Sequence, residues 1–264
     1  MIIDIHTHAF PDGLAARAIA SLTEKAAIPA YTDGTASDLK RSMASAGIDL
    51  CVLQHIATKP EQTVNVNRWA VEIQDGNILS FGSIHPDFPD WKKEIQWLAD
   101  SGIKGVKFHP EYQDFYVDDQ KLFPVYDALC EAGLVILFHA GVDLGFSPPC
   151  HCTPSRLSKV LDAFPGAKII AAHMGGYRYW EDVEKYLLGR EVYLDSSFAF
   201  NDMGAESMGA LIKGHGAEKV LFGTDSPWTD QSREVANIKS LSLTGEEFDL
   251  ILSKNALRLL NLAV

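Results

Sequence analysis

The sequence contains no run of apolar residues long enough to span a bilayer, and no basic segment followed by an apolar core opens it. Neither a membrane span nor an export signal is expected, and the chain is expected to act in the cytoplasm. Positive charge is also short. There are 23 Lys and Arg against 35 Asp and Glu, a net charge of -12, so no global field would draw a nucleic acid or an anionic membrane to it. Cysteine is scarce, 4 in 264 residues. Cys150 and Cys152 flank His151, but no second Cys/His pair at matching spacing completes a structural zinc knot, and Pro148 to Pro154 reads as a proline-stiffened loop with reduced thiols. Low-complexity tracts, charge blocks and long linkers are missing. So is a glycine-rich phosphate turn after the first strand, which an open doubly wound sheet binding a dinucleotide would need.

What the chain does have is alternation. Short β-branched or apolar runs begin at Ile2, Ile3 and Ile5 and recur at 50–56, 78–84, 105–109, 134–139, 168–173, 191–195 and 219–225. Helical patterns fall between them at 14–22, 38–46 behind an N-cap at Ser37, 61–74, 90–100, 119–131, 154–164, 179–188 and 205–213. Two more, 232–240 and 245–260, close the chain. Apolar strands each followed by helix imply a parallel sheet covered on its outer face. Eight such units predict a single α/β domain over 1–264, a (β/α)8 TIM barrel whose site lies at the C-terminal ends of the strands.

The residues at those ends carry the chemistry. His6 and His8, one residue apart, leave an extended strand on the same side. Lys107 and His109 end the fourth strand, His139 the fifth, His173 the sixth and Asp225 the eighth. A closed barrel brings all of them to one mouth, where neutral imidazoles and a carboxylate are ligands for a divalent metal. Lys107 is placed to grip a substrate carboxylate, with His109 as a substrate contact or a ring turned to the adjacent loop. The loops add Arg178 and Trp228 as substrate contacts, and Tyr179 and Trp180 as contacts or as helix starts that pack on their neighbours. The segment 141–153, with Phe146, is long enough to act as a lid.

Asp-Ile-His6-Thr-His8-Ala-Phe-Pro, Gly-Val-Lys107-Phe-His109-Pro, Leu-Phe-His139-Ala-Gly, Ala-Ala-His173-Met-Gly-Gly and Phe-Gly-Thr-Asp225-Ser-Pro together resemble the amidohydrolase superfamily. More narrowly they resemble its amidohydrolase-related branch, which includes aminocarboxymuconate semialdehyde decarboxylase. The resemblance implies one divalent metal ion, Zn2+ first with Mn2+ or Fe2+ as alternatives, held by His6, His8, His139 and Asp225. It implies His173 as general acid/base, with Asp225 also able to accept a proton. In binuclear relatives the fourth strand supplies a carboxylated lysine or a glutamate, and Lys107 could be that lysine. Two activities follow from the same residues: hydrolysis of a small carboxylate, lactone, ester or amide by a metal-activated water, taken first, and non-oxidative decarboxylation of an aromatic or muconate-type acid as the alternative. The expected partners are a small anionic or planar substrate and, at most, a second copy of the chain in a homodimer.

Overall fold

The computed structural model describes residues 1–262. The expected domain ran to 264, and Ala263 and Val264 lie outside the described residues. Eight parallel strands follow one another around the sheet in chain order: β1 (Ile3–Thr7), β2 (Leu50–Gln54), β3 (Ile78–Ser83), β4 (Gly105–Phe108), β5 (Val135–Phe138), β6 (Ile169–Ala171), β7 (Tyr193–Asp195) and β8 (Val220–Leu221). The last strand returns to the first. Ile5 N donates to Phe222 O at 2.9 Å, Asp225 N to His6 O at 2.7 Å and His8 N to Ser226 O at 2.6 Å. The result is a single-domain (β/α)8 barrel, closed by hydrogen bonds between segments some two hundred residues apart in sequence.

Strand parity explains why these runs are apolar throughout. Leu50 and Val52 of β2, Val135 and Leu137 of β5, and Ile170 of β6 belong to the cluster inside the barrel. Their alternates, Cys51, Leu53, Ile136, Phe138 and Ile169, pack outward against the helices. Lys107 is in register with Leu137, while its neighbours Val106 and Phe108 belong to the outer cluster. The lysine therefore points into the barrel.

The helices are α1 (Asp12–Ala26), α2 (Ala36–Ala46), α3 (Thr63–Glu72), α4 (Trp91–Asp100), α5 (Phe123–Glu131), α6 (Pro154–Ala163), α7 (Trp180–Tyr186), α8 (Phe200–His215), α9 (Gln231–Lys239), α10 (Gly245–Asp249) and α11 (Asn255–Leu260). Three differ from expectation for identifiable reasons. The N-cap of α2 is Thr35, whose hydroxyl accepts from Asp38 N at 3.2 Å, and Ser37 lies inside the helix. Residues 200–203 extend α8 backwards across a non-helical break at Gly204 (φ 76°, ψ 164°), so the expected start at 205 marks the far side of that break. The helix expected over 245–260 is interrupted by a π turn at Leu250–Lys254. There the carbonyl of Ile251 accepts from Phe222 N at 3.0 Å, and Asn255 Nδ2 donates to the carbonyls of Ala217 and Val220 at 2.7 Å each. The break in the helix serves the closing strand.

Candidate metal centre

His6 and His8 stand at the end of β1, and each has its tautomer set by the atom behind it. His6 Nδ1 lies 3.0 Å from Asp195 Oδ2, a carboxylate oxygen that only accepts, so the proton is on Nδ1 and Nε2 carries a lone pair. His8 Nδ1 lies 2.9 Å from the carbonyl of Gln54, with the same consequence. Both free nitrogens face Asp225, with Oδ1 3.6 Å from His6 Nε2 and 3.1 Å from His8 Nε2. Three acceptors therefore converge, an arrangement that only a proton or a metal cation reconciles. Burial would raise the Asp225 carboxyl, but the imidazoles of His6, His173 and His8 hold it below the usual carboxylate range, so it stays ionised. His6, His8 and Asp225 offer ligand atoms within 4.8 Å of one another and fit a divalent ion.

His139, expected as the fourth ligand, does not join that trio. Its Nδ1 lies 3.1 Å from His173 Nε2. His173 Nδ1 is 3.0 Å from the carbonyl of Ser197 and so carries a proton, which leaves His173 Nε2 as acceptor and His139 Nδ1 as donor. His139 Nε2 then bears a lone pair, and it is buried with no partner. His139 also stacks on His109, ring centres 4.1 Å apart and planes 13° from parallel. With Asp143, whose Oδ2 is 3.2 Å from His109 Nε2, these two form a second group of ligand-type atoms within 4.8 Å. His6, His109 and His139 are all held well below the ordinary imidazole range, first by burial and then by the positive charge or rings around them. They are neutral at pH 7, the form a metal requires.

Lys107 is the cation of this floor. Its side chain is 1% exposed, and Nζ lies 3.1 Å from His6 Nε2. Burial lowers its pKa to about 8, against the pull of Asp195 and Asp225, so it loses its proton far more readily than a surface lysine. Left-handed backbone gathers here as well: His173 has φ 58° and Asp225 φ 64°, values uncommon outside glycine though His and Asp adopt them more readily than most side chains.

Arg178 falls differently from the sequence reading. It does not line the cavity; Nε and Nη2 each lie 2.9 Å from Asp202 Oδ2, which Tyr177 also reaches. An arginine with an acidic partner in the first turn of α8 is taken up there. Trp180 starts α7 and donates Nε1 to the His173 carbonyl at 3.2 Å, while Trp228 and Phe198 do line the cavity. Glu111 anchors the loop after β5, accepting from His151 N at 3.0 Å. Cys150 and Cys152 are free, and burial pushes the Cys150 thiol up to about 12. Neither sulfur joins a group of metal-ligand atoms among the described residues.

The residues sequence reasoning passed over are Asp195 and Ser197. Asp195 orients His6 through Oδ2, and through Oδ1 accepts from the backbone N of His173 and of Ser197 at 3.1 Å each. One carboxylate thus positions two of the site's rings. Its signal was present: like Asp225, it is an acidic residue at the carboxyl end of an apolar strand.

Above the floor opens a cavity of about 730 Å³, with mainly apolar walls. The Amidohydrolase family profile matches residues 3–262. Among curated proteins none matches the sequence. Among solved structures, the TIM-barrel protein Bb4693 from Bordetella bronchiseptica is 20% identical, with a TM-score of 0.75 over 99% of this chain and 98% of that one. The 5-carboxyvanillate decarboxylase LigW from Sphingomonas paucimobilis is 16% identical, with a TM-score of 0.70 over 99% of each chain. LigW2 from Novosphingobium aromaticivorans, also a 5-carboxyvanillate decarboxylase and solved with manganese and 3-methoxy-4-hydroxy-5-nitrobenzoic acid, is 16% identical, with a TM-score of 0.75 over 99% of this chain and 97% of that one. At such identities the likeness establishes a shared fold. No helix among the described residues is long and apolar enough to cross a membrane.

Proposed function

We propose, from the premise that the chain belongs to the amidohydrolase family, that it is a metal-dependent enzyme that removes CO2 from a small planar acid. The observation that carries this reading is the cavity floor. Acceptor atoms of His6, His8 and Asp225 converge beside one buried lysine and a hydrogen-bonded imidazole pair, beneath walls that are mainly apolar. A divalent ion held by His6, His8 and Asp225, zinc or manganese by the mix of nitrogen and oxygen donors, would supply Lewis-acid polarisation of a substrate oxygen.

The chain's own residues do the rest. Lys107, cationic below about pH 8, draws the substrate carboxylate down to the floor. The apolar walls hold the ring and keep water away from it. His173, steadied by the Ser197 carbonyl at Nδ1, takes a proton at Nε2 along its hydrogen bond from His139 Nδ1 and gives it to the ring carbon bearing the carboxylate. The bond from that carbon to the carboxylate then breaks, its electron pair stays with the ring, and CO2 leaves. The His139–His173 hydrogen bond supplies the route by which the proton is replaced.

Decarboxylation is placed ahead of hydrolysis for two reasons. The LigW and LigW2 structures, which share the fold, are decarboxylases, and LigW2 holds manganese and a benzoic acid. Walls that are mainly apolar also suit the ring of an aryl acid. Hydrolysis remains the second reading because Asp225 stays ionised beside the ligand histidines and could take a proton from water. The test is a panel of 2-hydroxyaryl acids and of lactones offered to metal-loaded protein. CO2 release from the acids is expected, and turnover confined to the lactones would reverse the order of the two readings.

A further inference from the structure

Helix α1 covers the barrel differently from its neighbours. Of its 15 residues only Ala15 is buried. Leu14, Ala18, Leu22 and Ala26 nevertheless recur at every fourth position and form a single stripe. An apolar stripe on a helix ordinarily packs against the core. Here all four side chains line the cavity instead. Val66 and Trp69, three apart on one face of α3, line the same space, and the Trp69 ring is braced edge-on by His55 at 4.8 Å. The far end of α1 is fastened over the site: Lys25 Nζ sits 3.4 Å from the centre of the Phe146 ring and 4.3 Å from that of Tyr112. The lysine thereby ties α1 to the loop after β5.

We infer that this limb, between α1 and α3, binds an uncharged alkyl or aryl extension of the substrate, so that the substrate is an acid bearing a hydrophobic tail and not a bare single-ring acid. The inference rests on the proposed site for the position of the carboxylate alone. Three observations fix the occupant. The limb is continuous with the floor, since one cavity is lined both by His6, His8 and Asp225 and by the α1 stripe. Lys107 is the single lysine or arginine lining that cavity among the described residues, so the acid group belongs at the floor and an anionic group in the limb would have no cation to meet there. The volume, about 730 Å³, lies in the upper part of the range for sites that enclose drug-sized ligands, well above the needs of one substituted ring.

Binding of benzoate, para-propylbenzoate and para-hexylbenzoate to the metal-loaded protein, measured by calorimetry, tests this directly. Each added methylene should tighten Kd by about fourfold until the limb is filled. Ala18→Phe, which fills the limb from the α1 side, should flatten the series. Val66→Asn, which replaces an apolar side chain of the opposite wall, beside Asn65, with a polar one of similar size, should weaken the hexyl compound by about tenfold or more while changing benzoate little. Equal affinities across the series in the wild-type protein would overturn the inference, as would an undiminished gain in both folded variants. The series reads binding whether or not any of these acids loses CO2. A failed reaction assay therefore leaves the limb standing, and a flat series leaves the reaction reading standing.

Discussion

At the scale of single residues, the site is governed by where protons sit. Asp195, the Gln54 carbonyl and the Ser197 carbonyl each hold one imidazole N–H, which turns the opposite nitrogen of His6, His8 and His173 inward as an acceptor. His173→Gln keeps the side-chain volume roughly and removes the titratable ring. Turnover should fall by about 10²- to 10⁴-fold with the bound metal retained, as read by steady-state kinetics beside metal analysis. Metal lost in parallel with activity would make His173 a ligand instead.

A second residue-scale effect concerns stability. Glu234 is buried on α9, and burial raises its carboxyl from 4.5 to about 7 against the pull of Arg233. The folded chain thus holds a proton that the unfolded chain releases above about pH 4.5. The favourable contribution is complete below the unfolded pKa and is lost as pH rises through the folded one, about 3 kcal/mol at most across that window. Glu234→Gln should flatten the decline in unfolding free energy between about pH 5 and pH 8 and raise Tm at the alkaline end. An unchanged slope in denaturant titrations across that range would show that Glu234 is not the group responsible.

At the scale of elements, the loop after β5 is pinned where Gly141 meets Tyr177. Gly141 has φ 85°, and a Cβ placed there would lie 2.1 Å from the backbone nitrogen of Tyr177. Gly141 N also donates to Cys152 O, and Tyr177 N to Ala140 O, at 2.9 Å each. Gly141→Ala must therefore move backbone, and a loss of about 2–4 kcal/mol in urea unfolding is expected. A cost below about 0.5 kcal/mol would mean that the loop yields freely.

The elements also show what the sequence could and could not carry. The eight strands and the helices between them were legible because burial on both faces forces continuous apolar runs, broken by Gly and by polar caps. His6, His8, Lys107, His109, His139, His173 and Asp225 line a single cavity, as their places at strand ends implied, and Trp228 joins them from the loop after the eighth strand. Division of that set was not legible. Whether His139 turns to Asp225 or to His173 depends on ring rotation, and Arg178 was drawn off by Asp202, a residue 24 positions further on. The π turn at Leu250–Lys254 exists to satisfy Phe222, a tertiary demand that no local pattern announces.

At the scale of the whole molecule, the proposed metal trio is a seam. His6 and His8 come from the end of β1 and the residue after it and Asp225 from the segment after β8, so the three candidate ligands meet only when the barrel closes. Asp4 draws the same two segments together, accepting from Thr224 Oγ1 at 2.6 Å and from Gln231 Nε2 at 2.9 Å. Metal binding and closure of the fold should accordingly reinforce each other. The most direct measurement is the metal content of the purified protein and of its Asp225→Asn variant, by elemental analysis after dialysis. The account predicts about one equivalent of divalent metal per wild-type chain and almost none in a variant that is still folded. Full metal retention in the variant, or a wild-type chain that takes up no divalent metal at all, would contradict it.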